Sequence, residues 1–473
     1  MIYILCLYGL LNFFATLHII LYGSRPTKSL SWLLIILLFP FIGIILYIIF
    51  GINRRKFKFF KLKQTVRRRL YNESFNQELI KEYQSQFDDK ICFKLSQLMK
   101  KSSGFTTLSG NEINILQDGK TTFDTIFTAL EKAKKFIHLQ YYILEEGELV
   151  EKLYQVVKEK IQENVEVRIL YDAIGSYSLK KSTISKFKNV GVKIFPIMPL
   201  HYGSFLFTLN YRNHRKILII DGEIGFTGGV NISDKYINPE SDLGIWDDTH
   251  LCLNGPAVDH LHRVFIKDYY FASDKELLLT DYYLPKIKMV DDVPVQIVSS
   301  GPDSDHPSIM QQYITMINLA EEYIHISNPY FIPNSAMLES LRIAALSGVK
   351  IKLLIPRKSD SWLAKYSVLS FLEELLFLGI EVYQQKEDFL HSKLIIIDDK
   401  IASVGSGNFD HRSFEHNFET NVLIYDENVS RELTKHFIED CDTSTQLDYE
   451  SFKNRPLKMK LLEGIARFFN PLL

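Results

Sequence analysis

Two short stretches of the chain carry the same set of chemically active residues. The first, HRKILIID, begins at His214 and is followed by a glycine-rich turn that ends in Asn231. The second, HSKLIIID, begins at His391 and is followed by a similar turn that ends in Asn408. Each stretch therefore offers a histidine, a lysine and an aspartate in the pattern H-x-K-x4-D, with an amide side chain close behind.

The lysine in each stretch indicates the class of ligand. Zinc sites are built from neutral histidine, cysteine and carboxylate, and a fixed ammonium group beside these ligands would repel the ion. Lys216 and Lys393 therefore favour an anion, and two histidines, two lysines and two asparagines around one point would supply donors to a phosphate. One histidine could attack phosphorus while the other protonates the leaving oxygen. We expect neither a metal nor a cofactor.

The apolar run after each lysine predicts a buried strand. Because side chains alternate along a strand, the histidine and the lysine share one face and the aspartate points to the other. We therefore expect the two aspartates to fix the turn after the strand rather than to touch the substrate. The predicted catalytic motifs consist of His214, Lys216, Asp221, His391, Lys393 and Asp398.

Two further carboxylates follow the motifs at matching places. The stretch DTHLCL (248–253) aligns with ETNVLI (419–424), so Asp248 corresponds to Glu419. A carboxylate that binds one ring nitrogen of a histidine fixes its tautomer. We expect Asp248 and Glu419 to orient the two histidines, and Asn231 and Asn408 to bind the substrate phosphate.

The elements around the motifs also occur twice. In the first half, the strand patterns NEINILQ (111–117), FIHLQYYIL (136–144) and VEVRILYD (165–172) alternate with helical segments. In the second half, VPVQIVS (293–299), YIHISNPYFI (323–332) and VKIKLLIP (349–356) follow in the same order. This alternation predicts an α/β fold. The long spacing between the copies indicates duplication of a whole domain rather than a solenoid.

The first fifty residues differ from the rest of the chain. Residues 2–22 contain no charged residue, and neither does the run from Leu30 to Asn53. Each run exceeds the ~20 residues that span a bilayer as a helix, which predicts a transmembrane hairpin. The loop between the runs holds only Arg25 and Lys28, whereas a basic cluster follows the second run and predicts a cytoplasmic location for everything after it. The cluster comprises Arg54, Arg55, Lys56, Lys58, Lys61, Lys63, Arg67, Arg68 and Arg69.

Composition excludes several other classes of protein. The net charge of −1 gives no general attraction to nucleic acid. The four cysteines show no C-x-x-C spacing, which disfavours both a disulfide framework and a zinc site. The expected partners are a phospholipid substrate and anionic membrane lipids, and an oligomer is compatible with the sequence.

The doubled H-x-K-x4-D motif with its G-[GS]-x-N turn resembles the phospholipase D superfamily. The stretches RPTKSLSWLL, HLQYYI, RILYDAIGS, NYRNHRK, WDDTHLCLNGPAV, SNPYFIP, IPRKSD and RPLKMKLLEGIARFFNPLL are similar to bacterial cardiolipin synthases. The resemblance covers nearly the whole chain. One departure is Asp247, where the family leads us to expect a basic residue.

The resemblance implies condensation of two phosphatidylglycerols to cardiolipin, with release of glycerol and without a metal. It also implies a phosphatidyl-histidine on His214, with His391 as acid and then base. It implies two tandem phospholipase D-like α/β/α sandwich repeats related by pseudo-two-fold symmetry, in a multi-pass protein of the bacterial cell membrane. The alternatives are a phospholipase D-type hydrolase, a nuclease, a phosphatidyltransferase that uses another alcohol, and an inactive scaffold.

The sequence predicts five segments. They are a transmembrane hairpin (1–53), a basic linker (54–108), a first repeat (109–288), a second repeat (289–450) and a C-terminal amphipathic helix (451–473). The C-terminal helix has two interpretations, because it could lie in the lipid interface or pack against the catalytic body. The apolar loop at 199–211 likewise fits either a lipid contact or core packing.

Overall fold

The computed structural model describes residues 2–23, 26–39, 41–52, 64–71, 84–199, 210–238, 243–273, 275–286, 288–386 and 388–470. Most of the predicted basic cluster, at 54–63, lies outside these residues, as does most of the apolar loop, at 200–209.

One continuous sheet of 15 strands runs through both halves of the chain. A separate two-stranded sheet is formed by the seventh and thirteenth strands. The strands are β1 (Leu108–Leu116), β2 (Phe136–Tyr141), β3 (Glu166–Asp172), β4 (Lys193–Ile197), β5 (Ile217–Ile220), β6 (Ile224–Gly228), β7 (Trp246–Asp247), β8 (His250–Asn254), β9 (Val293–Ser300), β10 (Tyr323–Ser327), β11 (Lys350–Pro356), β12 (Glu381–Gln385), β13 (Phe389–Leu390), β14 (Leu394–Ile397), β15 (Ile401–Gly405), β16 (Glu419–Ile424) and β17 (Thr445–Gln446).

The strand order confirms the predicted duplication. From the centre outward the first half runs β1-β8-β6-β5-β2-β3-β4, and the second half runs β9-β16-β15-β14-β10-β11-β12, with β17 at the edge. Each of these seven strands of the first half thus has a counterpart at the same place in the second. The halves join where β1 pairs antiparallel with β9, and the strand order is the one that the predicted pseudo-two-fold symmetry requires.

Helices cover both faces of the sheet, so both faces of its strands are buried. In β5, Leu218 and Ile220 enter one hydrophobic core, whereas Ile217 and Ile219 enter another. The second of these cores also receives alternate residues of β14, so it is shared between the halves. The helices of this part are Lys90–Ser103, Gly119–Glu131, Glu148–Gln162, Lys181–Asn189, Ala257–Ala272, Ser308–Leu319, Ser335–Leu346, Trp362–Phe377, His411–Glu415, Glu427–Thr443 and Tyr449–Lys453.

The N-terminal segment contains the helices Ile2–Tyr22, Pro26–Leu38 and Ile42–Leu46, followed by one π-helical turn at Tyr47–Gly51. The short helix Gln64–Tyr71 comes after it. In the part of the chain that the structure describes, no helix combines the length and the hydropathy needed to cross a membrane. The hairpin at 1–53 stays a prediction.

The C-terminal helix, Leu457–Arg467, packs one face against the helix Trp362–Phe377. On that face Glu463 and Ala466 are buried, and Glu463 forms an ion pair with Arg455 at 2.5 Å. The opposite face exposes Leu457, Leu461, Ile465 and Phe468. The helix therefore contacts the catalytic body and still presents an apolar face outward.

Candidate active site

His214 lies in an extended segment before β5, and this segment pairs with the second half of the chain. The amide of His214 donates to the carbonyl of Phe418 at 2.9 Å, and the amide of Phe418 donates to the carbonyl of Arg212 at 2.9 Å. Because Glu419 follows Phe418, this pairing places its carboxylate beside the histidine. The Nδ1 of His214 lies 3.0 Å from Oε2 of Glu419.

His391 lies in the corresponding segment before β14, and this segment pairs with the first half. The strands β13 and β7 pair in parallel, and the amide of His391 donates to the carbonyl of Asp247 at 2.6 Å. The next residue, Asp248, thereby comes within 2.6 Å of Nδ1 of His391, measured from Oδ2. Each half thus orients the histidine of the other half.

Both histidines line one cavity of about 340 Å³. The two motif asparagines line it as well, so the structure brings the predicted histidines and amides together. The other lining residues are Tyr142, Ile143, Arg212, Trp246, Tyr330, Ile332, Asp360, Ser361, Ala364, Asp410, Arg412 and Asn417.

The two motif lysines are fully buried beneath the histidines and do not line the cavity. The Nζ of Lys216 donates to the carbonyl of His214 at 2.8 Å. The Nζ of Lys393 lies 2.8 Å from Nδ1 of His391 and 3.5 Å from Oδ2 of Asp248. Burial lowers the pKa of Lys216 to about 7 and that of Lys393 to about 8. A phosphate in the cavity would favour the charged form of both lysines.

Glu419 is surrounded by donors. Its carboxylate accepts hydrogen bonds from the hydroxyls of Ser406 and Ser413 and from the amide of Asn417, in addition to its contact with His214. Burial alone would raise the pKa of Glu419, but His214 and the nearby Lys216 hold it below its usual value. Glu419 is therefore a firmly held, ionised carboxylate.

Asp248 has fewer partners than Glu419. Its Oδ2 contacts His391 and Lys393, while its Oδ1 meets no donor among the described residues. A Cβ at Gly229 would lie 2.0 Å from that Oδ1, so only glycine fits there, whereas the matching position in the second half is Ser406. Burial, opposed chiefly by Lys393, raises the pKa of Asp248 to about 6.

Burial favours the neutral form of both histidines. Burial lowers the pKa of His214, although Glu419 opposes this effect. Burial and the adjacent Lys393 lower the pKa of His391 well below its ordinary value. Since Nδ1 of each ring contacts a carboxylate, Nε2 is the nitrogen left for a reaction in the cavity.

The motif asparagines differ in their surroundings. The Oδ1 of Asn231 accepts from the backbone amide of Ile143 at 3.1 Å, and its Nδ2 lies 3.4 Å from the hydroxyl of Tyr236. The Oδ1 of Asn408 has no partner among the described residues. Both side chains border the cavity, but their role in phosphate binding stays a prediction.

Asp221 and Asp398 lie away from the cavity, in the turns that follow β5 and β14. Each has a positive φ, 56° and 53° respectively. The carboxylate of Asp221 accepts from the backbone amides of three consecutive residues, 134 to 136, at 2.7 to 2.9 Å. The carboxylate of Asp398 accepts from those of residues 321 to 323, each at 2.8 Å. Both aspartates thus fasten the start of the neighbouring strand, β2 or β10.

Several residues around the two histidines were not predicted from the sequence as site residues. The hydroxyl of Tyr236 lies 3.1 Å from Nδ1 of His391, the ring of Trp246 lies 4.9 Å from the His391 ring, and the ring of Tyr142 lies 4.8 Å from that of His214. Trp246 belongs to the quoted stretch WDDTHLCLNGPAV, so its sequence signal was present. Tyr236 has no aromatic counterpart in the second half, and the duplication therefore could not reveal it.

The arrangement supplies a nucleophile and an acid–base group on one cavity. Two imidazoles, each oriented by a carboxylate, line one cavity, and the two buried lysines lie behind them. Such a set is suited to attack on a phosphodiester and to protonation of the oxygen that leaves.

Comparison with known proteins gives concordant results. The family described as "Cardiolipin synthase, PLD-like domain" matches residues 126–269 and 313–441, and "Phospholipase_D-nuclease N-terminal" matches residues 10–51. A cardiolipin synthase of Geobacillus sp. (strain WCH70) is 37% identical over 97% of this chain and 92% of its own length. A cardiolipin synthase of Oceanobacillus iheyensis is 39% identical over 96% of this chain and 95% of its own length.

Among solved structures, phosphatidylserine synthase of Haemophilus influenzae Rd KW20 is similar with a TM-score of 0.62 and 14% identity. The similarity covers 81% of this chain and 100% of that one. At this level of identity it shows the shared fold, with its two repeats.

Proposed function

Since the chain belongs to the family of cardiolipin synthases with a PLD-like domain, we propose that it condenses two phosphatidylglycerol molecules to cardiolipin and glycerol. It is a phosphatidyltransferase of the phospholipase D superfamily. The observation that carries the proposed mechanism is the crossed pair of histidines, each oriented by a carboxylate of the other half, on one cavity.

In the first step, Nε2 of His214 attacks the phosphorus of one phosphatidylglycerol. The phosphorus–oxygen bond to the headgroup glycerol breaks. His391, protonated in the enzyme–substrate complex because the anionic phosphate raises its pKa, donates its Nε2 proton to the leaving oxygen. In the second step, a hydroxyl of a second phosphatidylglycerol loses its proton to His391 and attacks the phosphatidyl-histidine. Cardiolipin forms and His214 is released, so atoms and protons balance over the cycle.

The different surroundings of the two histidines support the choice of nucleophile. A phosphatidyl group on Nε2 gives the imidazole ring a positive charge, since Nδ1 keeps its proton. Glu419 holds its negative charge under several hydrogen bonds, whereas the pKa of Asp248 is raised to about 6. Because Glu419 is the more fully ionised of the two carboxylates, it favours a charged intermediate on His214. The low pKa of His391 favours release of a proton to the leaving alcohol.

Lys216 and Lys393 are proposed to stabilise the anionic phosphate through their positive charge. Both lie directly beneath the histidines and are desolvated, where an ammonium group interacts with an anion more strongly than in water. Asn231 and Asn408 are proposed to donate to the phosphate oxygens from the wall of the cavity. The motif aspartates, Asp221 and Asp398, act through the fold.

A lipid substrate requires a route to the bilayer. We propose that residues 1–53 anchor the enzyme in the bacterial cell membrane as a two-helix hairpin, with the repeats on the cytoplasmic side. The charge-free runs and the basic cluster that follows them support this topology. The match of residues 10–51 to an N-terminal family segment is consistent with it.

Purified enzyme with phosphatidylglycerol vesicles tests the proposal. Wild type should yield cardiolipin and glycerol, and His391→Ala should yield neither, while the exposed control His306→Ala keeps its activity. Phosphatidic acid as the main product would indicate a hydrolase instead, and near-wild-type turnover of His391→Ala would refute the shared site. Activity is expected to persist in excess EDTA, and a loss that zinc restores would contradict the metal-free mechanism.

A further inference from the structure

Tyr330 and Asp360 form a polar pair on the wall of the cavity. The hydroxyl of Tyr330 donates to Oδ2 of Asp360 at 2.6 Å. Both residues line the cavity that contains His391, and the ring of Tyr330 stands nearly perpendicular to that of His391, with 6.4 Å between their centroids. The mechanism above assigns this pair no task, although it lies beside the proposed acid–base group.

The pair has capacity for further hydrogen bonds. A carboxylate offers about four lone-pair sites, and Tyr330 is the only side chain among the described residues that donates to Asp360. Burial, reinforced by the charge of Asp360, raises the pKa of Tyr330 well above its ordinary value, so the phenol stays protonated. With its own hydrogen directed at Asp360, the phenol oxygen is left as an acceptor. The pair can therefore receive hydroxyl groups.

The charges around the pair select the kind of donor. An ammonium group would also be attracted to Asp360, but Arg212 and Arg412 line the same cavity. Asp360 is also close enough to Lys393 to raise the pKa of that lysine. An ammonium group bound there would approach Arg212, Arg412 and Lys393, whereas an uncharged hydroxyl meets no such repulsion. The site is thus suited to a neutral alcohol.

The reaction provides such an alcohol in both of its steps. The glycerol that leaves the first phosphatidylglycerol and the glycerol of the second one share a free hydroxyl on the central carbon. This hydroxyl lies one carbon away from the oxygen that His391 protonates or deprotonates. A single subsite next to His391 can therefore hold the central carbon's hydroxyl in the forward and the reverse direction.

We infer that Tyr330 and Asp360 bind the central hydroxyl of the glycerol headgroup and so determine which alcohol the enzyme accepts. The inference rests on the proposed phosphatidyl transfer. The central hydroxyl makes and breaks no covalent bond in the reaction, so the pair binds and positions the alcohol rather than moving a proton. It favours glycerol over alcohols that lack a hydroxyl at this carbon.

A competition between two alcohols tests the subsite. Phosphatidylglycerol vesicles are incubated with equal concentrations of deuterated glycerol and 1,3-propanediol, which lacks only the central hydroxyl, and the product lipids are quantified by mass spectrometry. Wild type should prefer glycerol, and Asp360→Ala should reduce this preference by about tenfold to a hundredfold, the effect expected for a hydrogen bond to a charged group. Tyr330→Phe should reduce the preference for glycerol as well. This variant keeps the aromatic ring and provides a second test if Asp360→Ala fails to fold.

The preference ratio separates binding of the alcohol from a general loss of activity. The matched control is Asp442→Asn, an exposed carboxylate near the end of the helix Glu427–Thr443, and its ratio should equal that of wild type. An unchanged ratio in Asp360→Ala and Tyr330→Phe, even with lower turnover, would overturn the subsite. So would a wild type that accepts both alcohols equally. A wild type that transfers the phosphatidyl group to neither alcohol and forms no cardiolipin would instead refute the proposed function itself.

Discussion

Replacing Glu419 by glutamine probes the crossed orientation of the histidines most directly. The substitution keeps the size of the side chain and one acceptor oxygen, but it removes the negative charge beside His214. It also places an amide group among donors that now point at a carboxylate, those of Ser406, Ser413 and Asn417. Glu419→Gln should therefore weaken the phosphatidyl-histidine specifically.

The size of the effect follows from the distance between the two groups. At 3.0 Å and an effective dielectric constant of about 20, a carboxylate and an imidazolium ring attract each other by about 5.5 kcal/mol. The amide oxygen of glutamine retains part of this attraction, and we expect a loss of about 3 kcal/mol. Since about 1.4 kcal/mol corresponds to a tenfold change, formation of the intermediate should slow by at least about a hundredfold.

Rapid-quench experiments with phosphatidylglycerol labelled in its phosphate measure this step. Wild type should show a burst of label bound to the protein, and Glu419→Gln should lose both the burst and the steady formation of cardiolipin. The exposed Glu427→Gln serves as a control, because its ion pair with Arg431 lies on the surface, away from the cavity. A burst within tenfold of wild type in Glu419→Gln would refute the orientation of His214 by the second half.

Two further predictions concern stability. Asp221→Ala should lower the free energy of unfolding by about 3 kcal/mol or more, because it leaves three backbone amides without their charged acceptor. The specific activity of the folded fraction should change little. Denaturant unfolding and active-site titration check this, and a loss of activity without a loss of stability would contradict the structural role. Burial, with Asp440 as the next cause, raises the pKa of Asp247 to about 7, so its ionisation destabilises the folded state increasingly as the pH rises from about 4 to 7. Asp247→Asn should therefore stabilise the protein by up to about 4 kcal/mol at pH 8 and hardly at pH 4, and equal effects at both pH values would exclude this explanation.

The sequence was sufficient to predict the two repeats and most of their strands. The apolar runs that alternate with helical segments correspond to β1, β2 and β3 and to β9, β10 and β11. The strands after the motifs are shorter than predicted, Ile217–Ile220 and Leu394–Ile397, so each histidine and lysine lies before its strand. Hydrophobic periodicity could not show this, because these segments pair with the other half instead of with their neighbours in the sheet.

Local sequence patterns also could not predict which carboxylate contacts each histidine. Alignment of the two copies identified Asp248 and Glu419 as matching carboxylates, but it could not say which histidine each one contacts. The answer depends on backbone pairings between segments far apart in the chain, Asn213 with Phe418 and β13 with β7. Alignment of the two copies could not predict the roles of Tyr236 and Ser413 either. Each lies five residues after a motif asparagine, but one side chain is a phenol and the other a small aliphatic alcohol.

Because the two halves are different segments of one chain, the residues around each imidazole can be substituted independently. In an assembly of two identical halves, any change near the site would appear twice and would alter both histidines together. Here Ser406 donates to Glu419 beside His214, whereas Gly229 at the matching place makes room for Asp248 beside His391. One chain can therefore adjust the basicity of its attacking group without disturbing its proton carrier, a freedom that exact symmetry would forbid.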